Sequence, residues 1–215
     1  MPQLPQPPGL VALDSEEGEA LFLGAGERGA FWPLVNRFES EDGLTFCSAA
    51  SCVMVLNALA VAAPESNAHP GFREFTQENF FSPAVQAIYP RETMAHCGPT
   101  LEQFAAMLAT YPVEVRVRHA DDATLGEFRR DARAAVAGRR RFVISNFARS
   151  VLGQEGWAHN SPLGAYHEGR DLFLVLDVAR FKYGPFWVPA DRLFEAMLTV
   201  DPTAGRSRGY VTVGS

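Results

Sequence analysis

The chain has 215 residues, of which 47% are hydrophobic and 20% are charged, and its formal net charge at pH 7 is -6. This composition is typical of a globular protein with a sizeable core and excludes a disordered chain. Because the charge is negative and no basic run is present, nucleic acid and anionic membranes are unsuitable partners.

The first residues, MPQLPQPPGL, are rich in proline and lack the basic and apolar regions of a signal peptide. We interpret residues 1–12 as a loose N-terminal arm and residues 13–215 as a single domain. No apolar run reaches the ~18 residues that a membrane span needs.

The chain has three cysteines, which cannot form a disulfide framework. The count favours a reducing compartment and leaves one optional disulfide open. We therefore expect a cytoplasmic protein, with the periplasm left open if a leader has been removed.

The first half of the sequence predicts helices. Residues 47–61 carry apolar side chains at helical spacing, and the following APESN ends the run. Thr100 and Thr124 are each followed three residues later by Gln or Glu, a spacing that predicts capping boxes. These two positions begin the predicted helices LEQFAAMLATY and LGEFRRDARAAVAG.

The second half of the sequence predicts strands. VEVRVRH, which begins at Val113, alternates valine with charged residues as a half-buried strand does. The later strand-like runs are RFVISNF, PLGAYHE, LFLVLDV and GYVTVG, and the helix-like PADRLFEAML lies between the last two. Helices followed by antiparallel strands predict an α+β fold, with a helical lobe packed on a sheet.

A tight turn is predicted at Glu168–Arg170, between two of the strand-like runs. A hairpin centred near this turn places His159 opposite or nearly opposite Asp177. Pro162 cannot donate a ladder hydrogen bond, and a bulge there would shift the pairing by one residue.

Cys47 lies where a loop meets the first predicted helix, in LTFCSAASCVMVLNAL. The helix dipole and the free amides of the first turn favour the thiolate, which is the nucleophilic form. A histidine can accept and return a proton, and a carboxylate can orient that histidine. Cys47, His159 and Asp177 supply these roles in the chain order of papain-like sites. The alternative for a lone cysteine at a helix start is a packed core residue.

The other cysteines and histidines predict no second site. Cys52 lies inside the helix and is assigned to the core. Cys97 follows His96, but no further pair at metal-ligand spacing accompanies them, and a zinc site is not expected. The remaining histidines are expected at the surface, in a loop, at a strand end or in the hairpin turn: His69, His119 and His167.

Four stretches of the sequence resemble the phytochelatin synthase family, in particular its short prokaryotic members: FCSAASCVMVLNAL, FTQENFF, HNSPLGAYHEGRDLFLVLDVARFKYGPFWVP and TVDPTAGRSRGYV. They occur in the family's order, and the resemblance runs from about Leu10 to the end of the chain. It implies a papain-like fold and a dipeptidyltransferase that cleaves the Cys–Gly amide of glutathione. The resulting γ-glutamylcysteinyl thioester passes to water or to a second glutathione. The resemblance assigns the nucleophile to Cys47, the histidine to His159 and the aspartate to Asp177.

The resemblance also implies how glutathione is held. Asp201 and Arg208 match the family positions that bind the γ-glutamyl zwitterion, and their alternative is an exposed turn with scattered charge. Arg180 and Lys182 are expected to contact a second glutathione. Heavy-metal ions enter as thiolate complexes of the substrate, so we expect no cofactor and no metal held by the protein. Family members are often dimers, which leaves a homodimer open.

The sequence departs from the family pattern next to the nucleophile. Glu41 occupies a position, six residues before Cys47, where the family has a glutamine that donates to the oxyanion. An ionised carboxylate cannot donate. Glu41 is therefore protonated, or another donor serves, or the reaction is slow or changed. Ser48 and Ala158 replace glycines and narrow the space near the thiol, which leaves the choice of acceptor open.

Two alternative functions follow from these departures. One is a diverged amidase or acyltransferase for another γ-glutamyl or thiol peptide, including glutathione S-conjugates. The other is a relative without catalytic activity that binds thiol peptides.

Overall fold

The structure, a computed structural model, describes residues 3–215. Helices dominate the first half of the chain, and two further α-helices lie between strands of the second half. The α-helices are α1 (Glu16–Gly24), α2 (Phe31–Val35), α3 (Cys47–Ala58), α4 (Pro83–Ile88), α5 (Arg91–Met94), α6 (Leu101–Leu108), α7 (Leu125–Ala137) and α8 (Ala190–Leu198).

Within the described residues, the strands form a seven-stranded antiparallel sheet in the order β1-β6-β5-β4-β3-β9-β2 and a short ribbon of β7 and β8. The strands are β1 (Val11–Ala12), β2 (Glu114–His119), β3 (Arg141–Ala148), β4 (Ala158–His167), β5 (Leu172–Val175), β6 (Phe186–Pro189), β7 (Val200–Asp201), β8 (Arg206–Ser207) and β9 (Gly209–Gly214). Helices pack on this sheet, which confirms the predicted α+β class. Strands β1 and β6 were not predicted.

Local sequence signals set the starts of two helices. The hydroxyl groups of Thr100 and Thr124 accept hydrogen bonds from the backbone amides three residues later, and both predicted capping boxes are present. Helix α3 begins at Cys47, as predicted, but no side chain caps it. The first amides of α3 have no partner within the helix, so free donors lie at the helix end that carries the thiol.

Strand β4 lies at the centre of the sheet, between β3 and β5, and its interior positions are buried. Helices α3 and α7 both contact it. On α7, the ring of Phe128 lies 5.3 Å from that of Phe173 and 5.2 Å from that of Tyr210. Burying each such ring stabilises the fold by roughly 1.5–3 kcal/mol, and these rings pack α7 against the strands on both sides of β3 and β4.

The turn between β4 and β5 is longer than predicted. A 3-10 turn at Glu168–Arg170 is followed by Asp171, whose φ of 51° is tolerated by aspartate, and His167 pairs with Leu172. The predicted place of His167, in the hairpin turn, is confirmed because its side chain accepts from the amide of Arg170.

The predicted pairing of His159 with Asp177 across this hairpin is wrong. His159 pairs with Phe147 of β3, and a bulge between Leu163 and Ala165 shifts the register of the hairpin. Strand β5 ends before Asp177. The two side chains therefore meet by a route other than cross-strand pairing.

Residues 3–12 of the N-terminal arm are docked against the domain rather than loose. The amide of Leu4 donates to the carbonyl of Lys182 over 2.8 Å, and Gln154 donates to Gln6 over 3.0 Å. Strand β1 then joins the edge of the sheet beside β6. Gln3 and Gln6 also donate to the carbonyls of Arg180 and Gly184, and Arg192 donates to that of Pro8. Proline-rich segments lose little backbone entropy on docking, which favours this ordered arrangement.

Candidate active site

Cys47 lies at the first position of α3 and is 7% exposed. The side-chain amide of Asn160, on the adjacent strand β4, donates to the sulfur over 3.7 Å. Asn160 is itself held by Asn146 at 2.9 Å across the β3–β4 pair and by Ser51 of α3 at 3.1 Å. The strand thus fixes a donor beside the thiol. Sequence reasoning missed Asn160, whose only signal is its place next to His159.

His159 and Asp177 are in direct contact. The Nε2 atom of His159 lies 2.9 Å from Oδ1 of Asp177 and 2.8 Å from the hydroxyl of Ser161. Asp177 lies in the irregular segment after β5, and its carboxylate accepts from the amide of Ala179. A carboxylate at Nε2 favours the tautomer with its proton there, which leaves Nδ1 free as a base.

Arg149 is a buried member of the site that sequence reasoning missed. Its guanidinium donates to both oxygens of Asp177, over 2.8 and 2.9 Å, and to Gln154 over 2.7 Å. The Arg149 side chain is only 4% exposed, and that of Asp177 is fully buried. The position of Arg149 directly after the apolar strand β3 is a signal in the sequence that could have revealed its role. A lone charge next to a buried strand needs a buried partner.

Glu41 lies against the thiol and the imidazole. One carboxylate oxygen, the sulfur of Cys47 and a ring nitrogen of His159 all lie within 4.8 Å of one another. The backbone amide of Glu41 donates to the carbonyl of Val178, which ties this loop to the segment after Asp177. Within residues 3–215, Oε2 of Glu41 is buried without a hydrogen-bond partner.

A cleft of about 570 Å³ opens beside the thiol. Cys47 and Asn160 line it, and so do the two residues predicted to bind the γ-glutamyl group, Asp201 and Arg208. Arg208 uses one guanidinium nitrogen to bind carbonyls near the end of α8, and its Nε is buried without a partner within the described chain. The structure thus brings a charged pair into the same cleft as the thiol.

Comparison with known proteins adds an independent finding. A family profile described as "Phytochelatin synthase" matches residues 1–210. The chain belongs to the phytochelatin synthase family.

Relatives named glutathione gamma-glutamylcysteinyltransferase agree with this assignment. One from Lotus japonicus is 34% identical over 98% of this chain and 41% of its own length, and one from Triticum aestivum is 34% identical over the same shares. A relative from Schizosaccharomyces pombe is 30% identical over 94% of this chain and 48% of its own length. The chain spans less than half the length of these relatives.

In this site of a phytochelatin synthase family member, burial and neighbouring charges set the protonation states of Asp177 and His159. Burial would raise the pKa of Asp177, but the charges of His159 and Arg149 outweigh it and lower that pKa. Burial lowers the pKa of His159, and Arg149 lowers it further against the pull of Asp177. His159 is therefore neutral at pH 7 and able to accept a proton.

The protonation state of Cys47 differs from the resting thiolate that the helix position predicts. Burial, and next the charge of Glu41, raise the pKa of Cys47 to about 11, although Asn160 and Arg149 act in the opposite direction. The thiol is therefore protonated at rest. Desolvation at this position outweighs the helix dipole, an effect that only the packed structure reveals.

Glu41 has an unusual acidity for a carboxyl group. Burial, and next the charge of Asp177, raise its pKa to about 7, while Arg149 and Lys182 oppose the rise. At neutral pH a substantial fraction of Glu41 is therefore a neutral acid, which can donate a hydrogen bond.

Of the four remaining predicted residues, only Ala158 lines the cleft. Arg180 stacks on the ring of Phe38 and Lys182 lies over that of Tyr183, and neither lines the cleft, so their contact with a second glutathione stays a prediction. Ser48 is buried and faces the sulfur of a methionine, whereas Ala158 lines the cleft.

The histidines outside the site divide into two groups. His69 is exposed, as predicted. The prediction of a surface position for His119 is wrong: it is 4% exposed, and its ring binds Glu102 and the carbonyl of Ser207. The end of β2 is covered by α6 and the segment before β9, which alternation within one strand cannot show. None of the helices in residues 3–215 is long and apolar enough to cross a membrane.

Proposed function

We propose that this protein is a cysteine acyltransferase that cleaves the Cys–Gly amide of glutathione through a γ-glutamylcysteinyl thioester on Cys47. The observation that carries the proposal is a geometric one: the Cys47 sulfur lies within 4.8 Å of a ring nitrogen of His159, and His159 contacts Asp177. The cleft beside them also holds Asp201 and Arg208. Family membership supports the same reaction.

The first half-reaction needs a proton transfer, because both the thiol and the imidazole are neutral at rest. His159 takes the proton of Cys47 as the sulfur attacks the carbonyl carbon between the cysteine and glycine of glutathione. The carbonyl becomes an oxyanion. As it collapses, the C–N bond breaks, His159 gives its proton to the glycine amine, and the thioester remains on Cys47.

In this proposal, Asp177 and Arg149 stabilise the imidazolium that forms during the transfer. Asp177 stays ionised throughout because Arg149 holds it from the other side. The carboxylate therefore offers its charge to His159 without accepting the proton.

The oxyanion is stabilised by donors at the start of α3 and by Glu41 in its neutral form. The free amides of the first helical turn lie at the same end of α3 as the thiol and supply donors there. The buried, unpartnered Oε2 of Glu41 is a hydrogen-bond position with no partner in the resting protein. A protonated Glu41 performs the role that an amide side chain has at this position in the family.

The γ-glutamyl end of glutathione fits the charges in the cleft. Arg208 has a buried nitrogen left to bind a carboxylate, and Asp201 accepts from the substrate ammonium. Water, or the amine of a second glutathione, then attacks the thioester, and His159 returns the thiol to its protonated state. Heavy-metal ions enter only as thiolate complexes of the substrate, and the steps use no cofactor.

Trapping the acyl-enzyme tests this function. We expect acid quenching during turnover of glutathione to leave an adduct of γ-glutamylcysteinyl mass on Cys47, found by mass spectrometry of peptides. The adduct is released by hydroxylamine at neutral pH, as a thioester is, and not by reduction, as a mixed disulfide would be. Cys97→Ser, which removes the exposed thiol of the same cleft, retains the adduct, and Cys47→Ser lacks it. No adduct and no glycine release would instead favour a binding protein.

Glutathione S-conjugates are a second candidate substrate, favoured by the mouth of the cleft. Leu44, Trp157 and Val200 line it and are 83%, 91% and 62% exposed. Such apolar side chains would cover the apolar group of a conjugate. Competition between glutathione and S-benzylglutathione separates the two substrates, and Trp157→Ser would weaken only the conjugate if it binds there.

A further inference from the structure

A second cleft, of about 540 Å³, lies at the β2 edge of the sheet beside α7. Four arginines line this arginine cleft: Arg116, Arg118, Arg130 and Arg141. Its volume is in the range of small-ligand sites, roughly 300–1,000 Å³. None of the residues assigned to the proposed reaction lines it. The arginine cleft is therefore separate from the cleft of the thiol.

The strand register gathers three of the arginines on one face of the sheet. Arg116 of β2 lies opposite Thr212 of β9, and Arg141 of β3 lies opposite Gly214, two residues further along β9. Arg118 follows Arg116 on the same face of β2, because side chains alternate along a strand. Directly opposite residues share a face, so the three guanidiniums surround the hydroxyl-bearing Thr212.

Helix α7 forms the other wall of the arginine cleft and is fixed in place. Its Arg130 and Asp131 line the cleft, and Asp131 accepts from the hydroxyl of Tyr210 over 2.9 Å. Tyr210 is fully buried, and its ring lies 5.2 Å from that of Phe128 on the same helix. Because the wall is packed before any ligand arrives, binding loses little free energy to ordering it.

The positive charge in the arginine cleft is only partly balanced. Three of the four arginines have a carboxylate neighbour at 3.2 to 3.5 Å: the pairs are Arg118–Glu127, Arg130–Asp131 and Arg141–Glu114. Arg116 has no carboxylate partner among the described residues. Solvent-exposed pairs hold their side chains weakly, so these guanidiniums can turn toward another anion. Like charges gathered on one face are unfavourable until such an anion binds.

We propose that the arginine cleft binds an anion with two or more linked phosphate groups, either a free polyphosphate or the phosphates of a nucleotide. A guanidinium presents a planar fork of donors that matches phosphate oxygens. The arginines are spaced by roughly 7 Å along β2 and by roughly 10 Å from β2 across to β3. Linked phosphates fit this spread of charge better than a single phosphate does.

Calorimetry without glutathione tests this site. Tripolyphosphate, ATP, inorganic phosphate and citrate are titrated separately into the wild-type protein in a phosphate-free and metal-free buffer of fixed ionic strength. We expect tripolyphosphate to bind at one site and more tightly than inorganic phosphate or citrate. ATP that binds as tightly as tripolyphosphate indicates recognition of the phosphate chain alone, whereas tighter binding of ATP identifies a nucleotide site.

Matched variants locate the binding. Arg116→Gln removes the guanidinium without a carboxylate partner and should weaken tripolyphosphate binding roughly tenfold, as loss of a charged hydrogen-bonding group does. Arg116→Lys keeps the charge but not the fork, and its affinity should lie between the other two. The control, Arg170→Gln, removes the same charge from the exposed turn after β4 and should bind as the wild type does. Thermal melting shows that each variant is folded.

Equal effects of Arg116→Gln and Arg170→Gln would overturn the proposal, because only the net charge of the protein would then matter. Absence of tripolyphosphate binding, or citrate binding of equal strength, would also overturn it. Cys47→Ser should bind tripolyphosphate as the wild type does. Because no glutathione is present, the result is independent of the proposed reaction, and a failed acyl-enzyme experiment would reject that reaction alone.

Discussion

At the scale of single residues, Glu41 is the side chain whose charge decides how the site behaves. Its pKa of about 7 results from burial and from the charge of Asp177. In the proposed reaction, Glu41 is mostly a neutral donor below pH 7, and above pH 7 it becomes mostly an anion that would repel the oxyanion. One donor to an oxyanion is typically worth ~2.7–4 kcal/mol of transition-state stabilisation.

We therefore predict that Glu41→Gln raises turnover of glutathione, and that the ratio of variant to wild type grows with pH. Glutamine donates at every pH, whereas the donating fraction of Glu41 falls by up to roughly tenfold for each pH unit above its pKa. The measurement is kcat for both proteins between pH 6 and pH 8.5, with Glu39→Gln as the control for loss of a nearby charge. A ratio that stays constant with pH, or that lies below one, would show that Glu41 has a different role.

At the scale of elements, the site depends on how three segments meet. Arg149 follows β3, His159 opens β4, and Asp177 follows β5, and their side chains form a buried network. Removing one partner of a buried ion pair leaves an uncompensated charge, which typically destabilises a protein by ~3–5 kcal/mol.

We predict that Arg149→Met lowers the free energy of unfolding by about 3–5 kcal/mol, measured by urea denaturation. The matched control is Arg170→Met, which breaks the exposed pair with Glu17 and should change it by only about 0–1 kcal/mol. Similar small effects for both variants would mean that the buried network does not hold these segments together.

The helices and strands also show which parts of the fold the sequence predicts and which it does not. Helix starts at Cys47, Thr100 and Thr124 and most strands were predicted, because capping and apolar periodicity are local signals. The strand register around His159 was not predicted, because the longer turn and the bulge depend on packing against β3 and β5. Strands β1, β7 and β8, which were also not predicted, have two residues each, too few for a period to be seen.

The candidate site shows the same division. Motifs pointed to Cys47, His159 and Asp177, and the fold brings all three together. Arg149 and Asn160 act through contacts between distant segments, and the protonated state of the thiol follows from burial. None of these is encoded in a local pattern.

At the scale of the whole molecule, the cleft lies where the start of α3 meets the sheet and the β7–β8 ribbon. The thiol comes from the helical lobe, the imidazole from β4, and the predicted recognition charges from the ribbon and the residue after it. The docked N-terminal arm contacts the loop of Lys182 and reaches Gln154, which binds Arg149. The proposed catalysis therefore depends on the folded domain rather than on any one motif.

Release of glycine from glutathione tests the central claim most directly. The purified chain is incubated with glutathione, and free glycine is measured over time for the wild type, Cys47→Ser and Cys97→Ser. The account predicts steady release by the wild type and Cys97→Ser, and a rate for Cys47→Ser lower by at least about a thousandfold. No glycine from the wild type, or equal release by Cys47→Ser, would contradict it.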